Sequence, residues 1–418
     1  MRLYYQIFKK KYGEPDSKQM LTHLKKVIDT LSITDSKTAK MLRVGNDICI
    51  ASCSPLMKRV HSYVRESGEL VLVDGSGRVD HHGCRVFLMM THSAAGGLPL
   101  GVLITSESEK ILTQGFQLLK DLFPPTAFFG RHEKGPKIIM TDDAEAERKA
   151  LHNVYQESTL LLSSFHILQA MWHFLWDTNH IIKKEDRPHI LQAVKCMLYA
   201  KTEENLDKYY DQLCVDEKTQ QYEYLMIYLR RLYKRRSEWA LCFRVKLPVR
   251  GNNTNNFCEA GMRVIKDKIF YRTKAFNVVQ LVHFLFTQME KVYEHKLLDV
   301  ANNRRKQSLA SRYMSIANWD LPQNKITRVS VYEYQVPSQS NPHLTYHVNM
   351  DAAMCSCPLG YNGGPCKHQH IVAKYFSISS INTDTVISPS LRKLFFKIAT
   401  GKDEAECWFQ WPCKASHS

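Results

Sequence analysis

Between Glu69 and Leu162 the chain carries five short apolar runs, and their order limits the fold more than any other feature. Leu70-Val71-Leu72-Val73, Arg85 to Met90, Leu100 to Ile104, Lys137-Ile138-Ile139-Met140 and Leu160-Leu161-Leu162 all read as strands punctuated by glycines. The first three follow one another directly. Between the third and fourth, Ile111 to Phe123 has the spacing of an amphipathic helix and is stopped by Pro124-Pro125. A second helix begins near Ala144, before the last strand. Three strands followed by helix, strand, helix and strand predict an α/β sheet whose first three strands form an antiparallel meander.

The rest of the chain divides around that block. Residues 1–66 read as a basic, mostly helical region with apolar spacing from Met20 to Leu31, and a helix-turn-helix is one way to arrange it. From Ile167 to about Arg244 the pattern is helical throughout. The stripes Trp172, Phe174, Leu175, Trp176 and Tyr222, Tyr224, Leu225, Tyr228, Leu229 read as helix-packing residues rather than a base-stacking platform. Helix resumes after Asn256 and continues, with interruptions, to about Arg305. The stretch from Pro337 to Pro342 reads as a hairpin loop between two strands.

The charge narrows the partners. Lys and Arg number 57 against 41 Asp and Glu, a formal charge of +16, and the first 60 residues hold 12 of the cations against 5 of the acids. A polyanion, most commonly nucleic acid, suits that balance. No stretch approaches the roughly 18 apolar residues that a membrane span needs, and the N-terminus lacks a secretory apolar segment. An intracellular, soluble protein is the expectation.

Three carboxylates stand where divalent cations are wanted. Asp74 ends a buried run and enters the turn Gly75-Ser76-Gly77. Asp142 and Asp143 follow the run 138–141, with Asp142 read as the ligand and Asp143 as the cap of the next helix. Glu259 lies early in a helix with an asparagine as its expected N-cap. Phosphodiester chemistry uses two cations about 4 Å apart, and such hard cations take oxygen ligands. Asp74, Asp142 and Glu259 are therefore candidate catalytic residues for Mg²⁺ or Mn²⁺. Arg263, Lys266, Lys268, Arg272 and Lys274 follow Glu259 and are candidate phosphate contacts, while Arg230-Arg231 and Lys234-Arg235-Arg236 read equally well as solvated helix surface.

A second constellation has the spacing C-x-C-x₈-C-x-H. Cys355, Cys357, Cys366 and His368 enclose a segment with Gly360, Gly363, Gly364 and Pro365, so the chain can double back and close a tetrahedral zinc site. His370 is a competing ligand that the spacing disfavours. Most other cysteines are scattered singly, and Cys49, Cys53, Cys84, Cys196, Cys214 and Cys242 read as ordinary core residues. A closed site of this type folds a module and leaves no open coordination position.

Several segments resemble the successive motifs of Mutator-like element transposases. They are Val73-Asp74-Gly75-Ser76-Gly77, Ala95 to Gly101, Gly135-Pro136 leading to Met140-Thr141-Asp142-Asp143, Phe165 to Ala170 with Trp172, and Asn253-Thr254-Asn255-Asn256 with Glu259. The zinc cluster resembles a SWIM finger, with strands at Val329 to Gln335 and Leu344 to Val348 before it and a helix at Ile371 to Phe376 after it. The resemblance implies a ribonuclease H-like DDE core over 67–300, interrupted by a helical insertion at about 167–250, then a zinc finger at 328–378 and a tail at 379–418. It implies a nuclear transposase that cuts DNA at element ends and joins them to target DNA, with transposon and target DNA as partners and a homo-oligomer as a further expected association. Family members have Cys-x-x-His after the second Asp, where this chain has Ser163-Ser164-Phe165-His166. Serine is a poor zinc ligand, so His166, like Asp143, is expected to support the site rather than to bind zinc. That departure, and the lack of a zinc-ligand pattern before the core, favour the alternative of a domesticated, non-catalytic DNA-binding regulator. A protein-interaction adaptor is the third reading.

Overall fold

The computed structural model describes the chain apart from residues 1, 14–17, 35–37, 45–46, 77–83, 106–107, 276, 305–318, 320, 342, 352–353, 359, 361–365, 377, 379–388 and 411–418. Gly77, Arg305, Pro342, the glycines at 363 and 364 and Pro365, all singled out above, lie outside the described residues. The fold is mixed α/β.

Helices α1 (Arg2–Tyr12) and α2 (Lys18–Thr34) lead into β1 (Ala39–Val44), β2 (Asp47–Ser52) and α3 (Pro55–Tyr63). Then come β3 (Leu70–Ser76), β4 (Arg85–Thr91), β5 (Leu98–Thr105), α4 (Glu109–Lys120), the short turn α5 (Ala127–Gly130), β6 (Ile138–Thr141), α6 (Glu145–Val154) and β7 (Thr159–Leu162). These seven strands form one sheet in the order β1-β2-β5-β4-β3-β6-β7. β3, β4 and β5 are antiparallel neighbours, and β3, β6 and β7 run parallel. The meander expected from the apolar runs is present. The side chains of β5 are buried along its whole length, which matches a central position covered on both faces.

Residues 1–66 are mostly helical as expected, but not wholly. The hairpin β1–β2 extends the sheet through β2 pairing with β5, so the core begins well before residue 67. Asp47-Ile48-Cys49-Ile50 offers a strand signal too short to outweigh the surrounding helices. The helix-turn-helix alternative also fails for α2, which packs against β1 and the long helix α14 (Val278–Ala301).

After β7 the chain leaves the sheet through α7 (Ser164–Trp176), α8 (Arg187–Leu198), α9 (Glu203–Val215), α10 (Glu217–Gln220), α11 (Glu223–Lys234) and α12 (Arg236–Trp239). This insertion has its own apolar core, built from Ile167, Met171, Leu175, Val194, Leu229 and Trp239 among others. It packs the inner face of α7 but leaves Phe165 and Trp172 exposed on the outer face, where Trp172 stacks on Trp176 at 3.6 Å. The reading of Trp172 as a core residue is corrected: α7 buries one stripe, and residues 165 and 172 fall on the opposite one.

The chain returns through α13 (Asn256–Arg263), a π-helical turn over 264–269, and α14. A separate four-stranded sheet follows, ordered β11-β10-β9-β8, from β8 (Thr327–Arg328), β9 (Glu333–Pro337), β10 (Thr345–Asn349) and β11 (Met354–Cys355), with α15 (Lys367–Phe376) beside it. The segment expected as a tail instead rejoins the main core. Phe395 and Ile398 of α16 (Pro389–Thr400) and Phe409 of α17 (Cys407–Gln410) are buried there, and Arg392 donates to the Ala301 carbonyl at 2.7 Å. An amphipathic helix needs a surface for its apolar stripe, and α3 and α14 supply it. Among the described residues, no helix is long and apolar enough to cross a membrane.

Candidate functional site

Strand register brings the first two carboxylates together. In the parallel pair β3–β6, Leu70 lies opposite Ile138, Val71 opposite Ile139 and Leu72 opposite Met140. Continued two residues further, that offset brings Asp142 level with Asp74. Neighbouring strands lie about 4.8 Å apart, so the two carboxylates leave the same end of the sheet side by side. The pair β6–β7 continues the row: the Ser163 amide donates to the Thr141 carbonyl at 2.9 Å, which puts Ser163 beside Asp142.

Glu259 arrives from the insertion's far end. Its helix α13 lies across β4 and β3. Close packing is possible because residue 261 is glycine: a Cβ there would overlap Leu88 Cδ2 and come within 2.7 Å of Met90 Sδ. Leu88 is the residue paired with Asp74 across β3–β4. Asn255 occupies the N-cap position of α13 as expected, but its side chain makes no capping bond, and both its polar atoms are buried without a partner. Asp74, Asp142 and Glu259 are each partly accessible.

The electrostatics reflect this crowding. Burial, then repulsion from Asp142 and Glu259, pushes Asp74 up to about 7, against the relief offered by the Gly75 amide and Lys266. A carboxyl whose neighbours are also carboxylates ionises readily only when cations join it. The donor set is all oxygen and partly accessible, which fits Mg²⁺ or Mn²⁺.

Asp142 and Asp143 divide their work differently from the expectation. Asp142 Oδ1 accepts from the Ala144 amide at 3.2 Å, so it is Asp142 that caps the following turn. Asp143 turns outward to Arg235 of the insertion at 2.7 Å. The reason is geometric: residue 142 still follows the strand direction, whereas residue 143 faces solvent on the insertion side. His166 is half-buried, with its ring 5.4 Å from Phe165 and Nδ1 without a partner. Arg263, Lys266, Lys268, Arg272 and Lys274 are all exposed, and Arg272 pairs with Asp267 at 3.0 Å. Arg236 of the other basic group pairs with Glu203 at 3.3 Å, which leaves Arg230, Arg231 and Lys234 as its exposed members.

Three buried charged residues gave no sequence signal. Glu147, on α6, is buried, and Asp142 and Asp74 are the carboxylates that repel it. Arg244 is buried where the insertion closes and donates to the Asn253 side-chain oxygen at 3.1 Å and to the Leu162 carbonyl, so it ties β7 to the loop before Glu259. Arg250 binds Glu69 through two nitrogens and also donates to the Asp351 carbonyl, joining the sheet to the smaller module.

In that module Cys355, Cys357, Cys366 and His368 are all buried, with their ligand atoms within 4.8 Å of one another. A tetrahedral zinc–thiolate site with bonds of about 2.3 Å has ligand–ligand edges near 3.8 Å, so this group can hold zinc after small adjustments. The ring nitrogens of His368 have no hydrogen-bond partner outside the cluster, so one is available as a ligand atom. Hydrogen bonds from Cys355 and then Cys366 drive Cys357 toward the thiolate, the form that binds zinc. His370 lies outside the cluster. Cys49 and Cys53 are buried as expected, whereas Cys84, Cys196, Cys214 and Cys242 are only partly buried.

No protein-family model matches the chain, and no curated protein aligns with it significantly.

Proposed function

We propose that the seven-stranded unit is a ribonuclease H-like core of the Mutator-like transposase kind, that it cuts and joins DNA with divalent cations, and that the Cys₃His module is a SWIM-type zinc finger that helps to hold the DNA. The order β5-β4-β3-β6-β7, an antiparallel meander with two parallel strands added beside β3, supports the fold assignment. The observation that carries the function is the alignment of Asp74 with Asp142 on adjacent parallel strands, with Glu259 acting on Asp74 from α13.

Two divalent cations held by Asp74, Asp142 and Glu259 would supply activation of an attacking oxygen and stabilisation of a leaving one. The chain's own residues do the rest. Asp74, Asp142 and Glu259 gather negative charge that cations neutralise. Lys266 and the exposed Arg263 and Lys268 receive the phosphate backbone on the Glu259 side. Arg244 holds the loop before Glu259 against the end of β7, so the insertion and the sheet keep one geometry. Zinc in the Cys₃His module is structural. A nuclear setting and self-association follow from the reading as further proposals.

The test is cleavage and joining of end-containing DNA with Mg²⁺ or Mn²⁺. Asp142→Asn and Asp74→Asn should abolish both while leaving the fold intact, and cleavage that survives either change sinks the reading. One observation favours a second reading, a domesticated DNA-binding regulator. Ser163 stands beside Asp142 where the resembling family has cysteine, and its Oγ is buried without a partner. That reading predicts DNA binding by the wild type with no cleavage.

A further inference from the structure

Glu147 is only 3% exposed, and its Oε1 has no hydrogen-bond partner. An ionised carboxylate left so is costly in a protein interior, and the usual reasons for tolerating one are missing. It sits three residues after Ala144, the N-cap of α6, where a glutamate commonly reaches back to the cap amide. That amide is already bonded to Asp142 Oδ1. Of the cations nearest in sequence, Lys149 pairs with Glu145 at 2.7 Å, and Arg148 gives one nitrogen to Glu238 at 2.7 Å. Burial, then repulsion from Asp142 and Asp74, pushes this carboxyl well above the usual range, and Arg85 and Arg148 offset that only in part. Glu147 thus lies in the first turn of α6, five residues after Asp142 and within electrostatic reach of both aspartates, with one oxygen unclaimed.

We infer that Glu147 is a fourth carboxylate of the divalent-cation site, with Oε1 reserved for a cation or a cation-bound water. The inference rests on the reading of Asp74, Asp142 and Glu259 as cation ligands and adds a residue to it. Cation binding settles the unpartnered oxygen and the repulsion together. Partners that orient a metal's ligands are commonly worth about 10- to 100-fold in metal affinity.

The experiment is Mn²⁺ titration of the full zinc-loaded chain, read by electron paramagnetic resonance and by the shift in melting temperature. Wild type, Glu147→Gln, Glu147→Leu and Asp74→Asn are compared. Glu147→Gln is expected to bind Mn²⁺ roughly tenfold more weakly, to melt no lower than wild type without Mn²⁺, and to gain less from adding it. Should the glutamine variant misfold, the leucine variant, which removes the carboxylate with a side chain suited to burial, is held to the same expectation. Wild-type affinity in a folded Glu147 variant, with Asp74→Asn weakened, overturns the role of Glu147 and leaves the three-carboxylate site standing. Absence of Mn²⁺ binding by the wild type overturns both.

Discussion

Arg250 grips Glu69 through two guanidinium nitrogens, one of them 2.8 Å from Oε1, at the seam between the seven-stranded sheet and the zinc module. Both side chains are 7% exposed. Arg65 reinforces the contact at 3.0 Å to Glu69 and 3.1 Å to Asp351. Removing one partner of such a pair leaves the other buried and uncompensated, at a cost of roughly 3–5 kcal/mol. Arg250→Ala should therefore lower unfolding free energy by that order in chemical denaturation. It should also raise amide exchange over 333–349, the strands that lean on Asp351. Unchanged exchange there would show that the module docks by other means.

The acidic site gives the protein a pH signature in buffer without added divalent cations. Asp74 sits near 7 in the folded chain, against about 3.9 when unfolded. The folded state then holds a proton that the unfolded state has released. The stability this confers is complete below about 4 and is lost as pH rises through about 7. Buried His61 and His92, both held down to about 3 by burial, act in the opposite sense. They are common to wild type and variant, so the difference reports Asp74 together with the carboxylates it repels. Asp74→Asn should gain stability relative to wild type between pH 5 and 8. A difference that stays flat in urea unfolding at pH 5, 6, 7 and 8 contradicts the crowding described above.

Zinc should be stoichiometric and local in effect. The module's core is Tyr334, Val336, Val348, Ile371 and Val372 packed around the ligands, separate from the main core. One equivalent of zinc is expected by elemental analysis, and Cys357→Ser or a strong chelator should remove it. Limited proteolysis should then cut within 321–376 while the seven-stranded sheet stays protected, because metal binding and folding are coupled in such modules. Retained zinc in Cys357→Ser would remove that residue from the ligand set.

Lys266 and Lys268 are exposed on the π-helical turn after Glu259, and Lys266 is close enough to relieve the charge on Asp74. Replacing both by Glu should weaken DNA binding across sequences. Each lost phosphate contact should also flatten the logarithmic salt dependence by about 0.9. Equal affinity and slope for wild type and variant, in fluorescence anisotropy over a salt series, would place the DNA elsewhere.

Much of this was legible along the chain, and particular residues show why. Asp74 and Asp142 each end an apolar run, and the zinc ligands announce themselves by spacing alone. The order of the runs determined the meander and the parallel strands, because each strand is a local pattern with few ways to connect to the next. Glu147 was not legible. Glu145 shares its helix and its charge, yet Glu145 is exposed and paired with Lys149 while Glu147 is buried and unpaired at Oε1. The hairpin β1–β2 and helix α16 were missed for a related reason, since each depends on a partner surface supplied by distant residues.

By itself the sequence determined the strands β3 to β7 and the helices between them, which cysteines can share zinc, and which acids stand at strand ends, since these follow from periodicity and covalent spacing. Tertiary structure alone decided that Asp142 rather than Asp143 caps the following turn, that the helix carrying Glu259 packs on β4 through Gly261, and that Arg250 joins two modules. Those outcomes depend on register and burial, which local sequence does not encode: a carboxylate's neighbours in space, not along the chain, decide whether it meets water, a cation or another carboxylate.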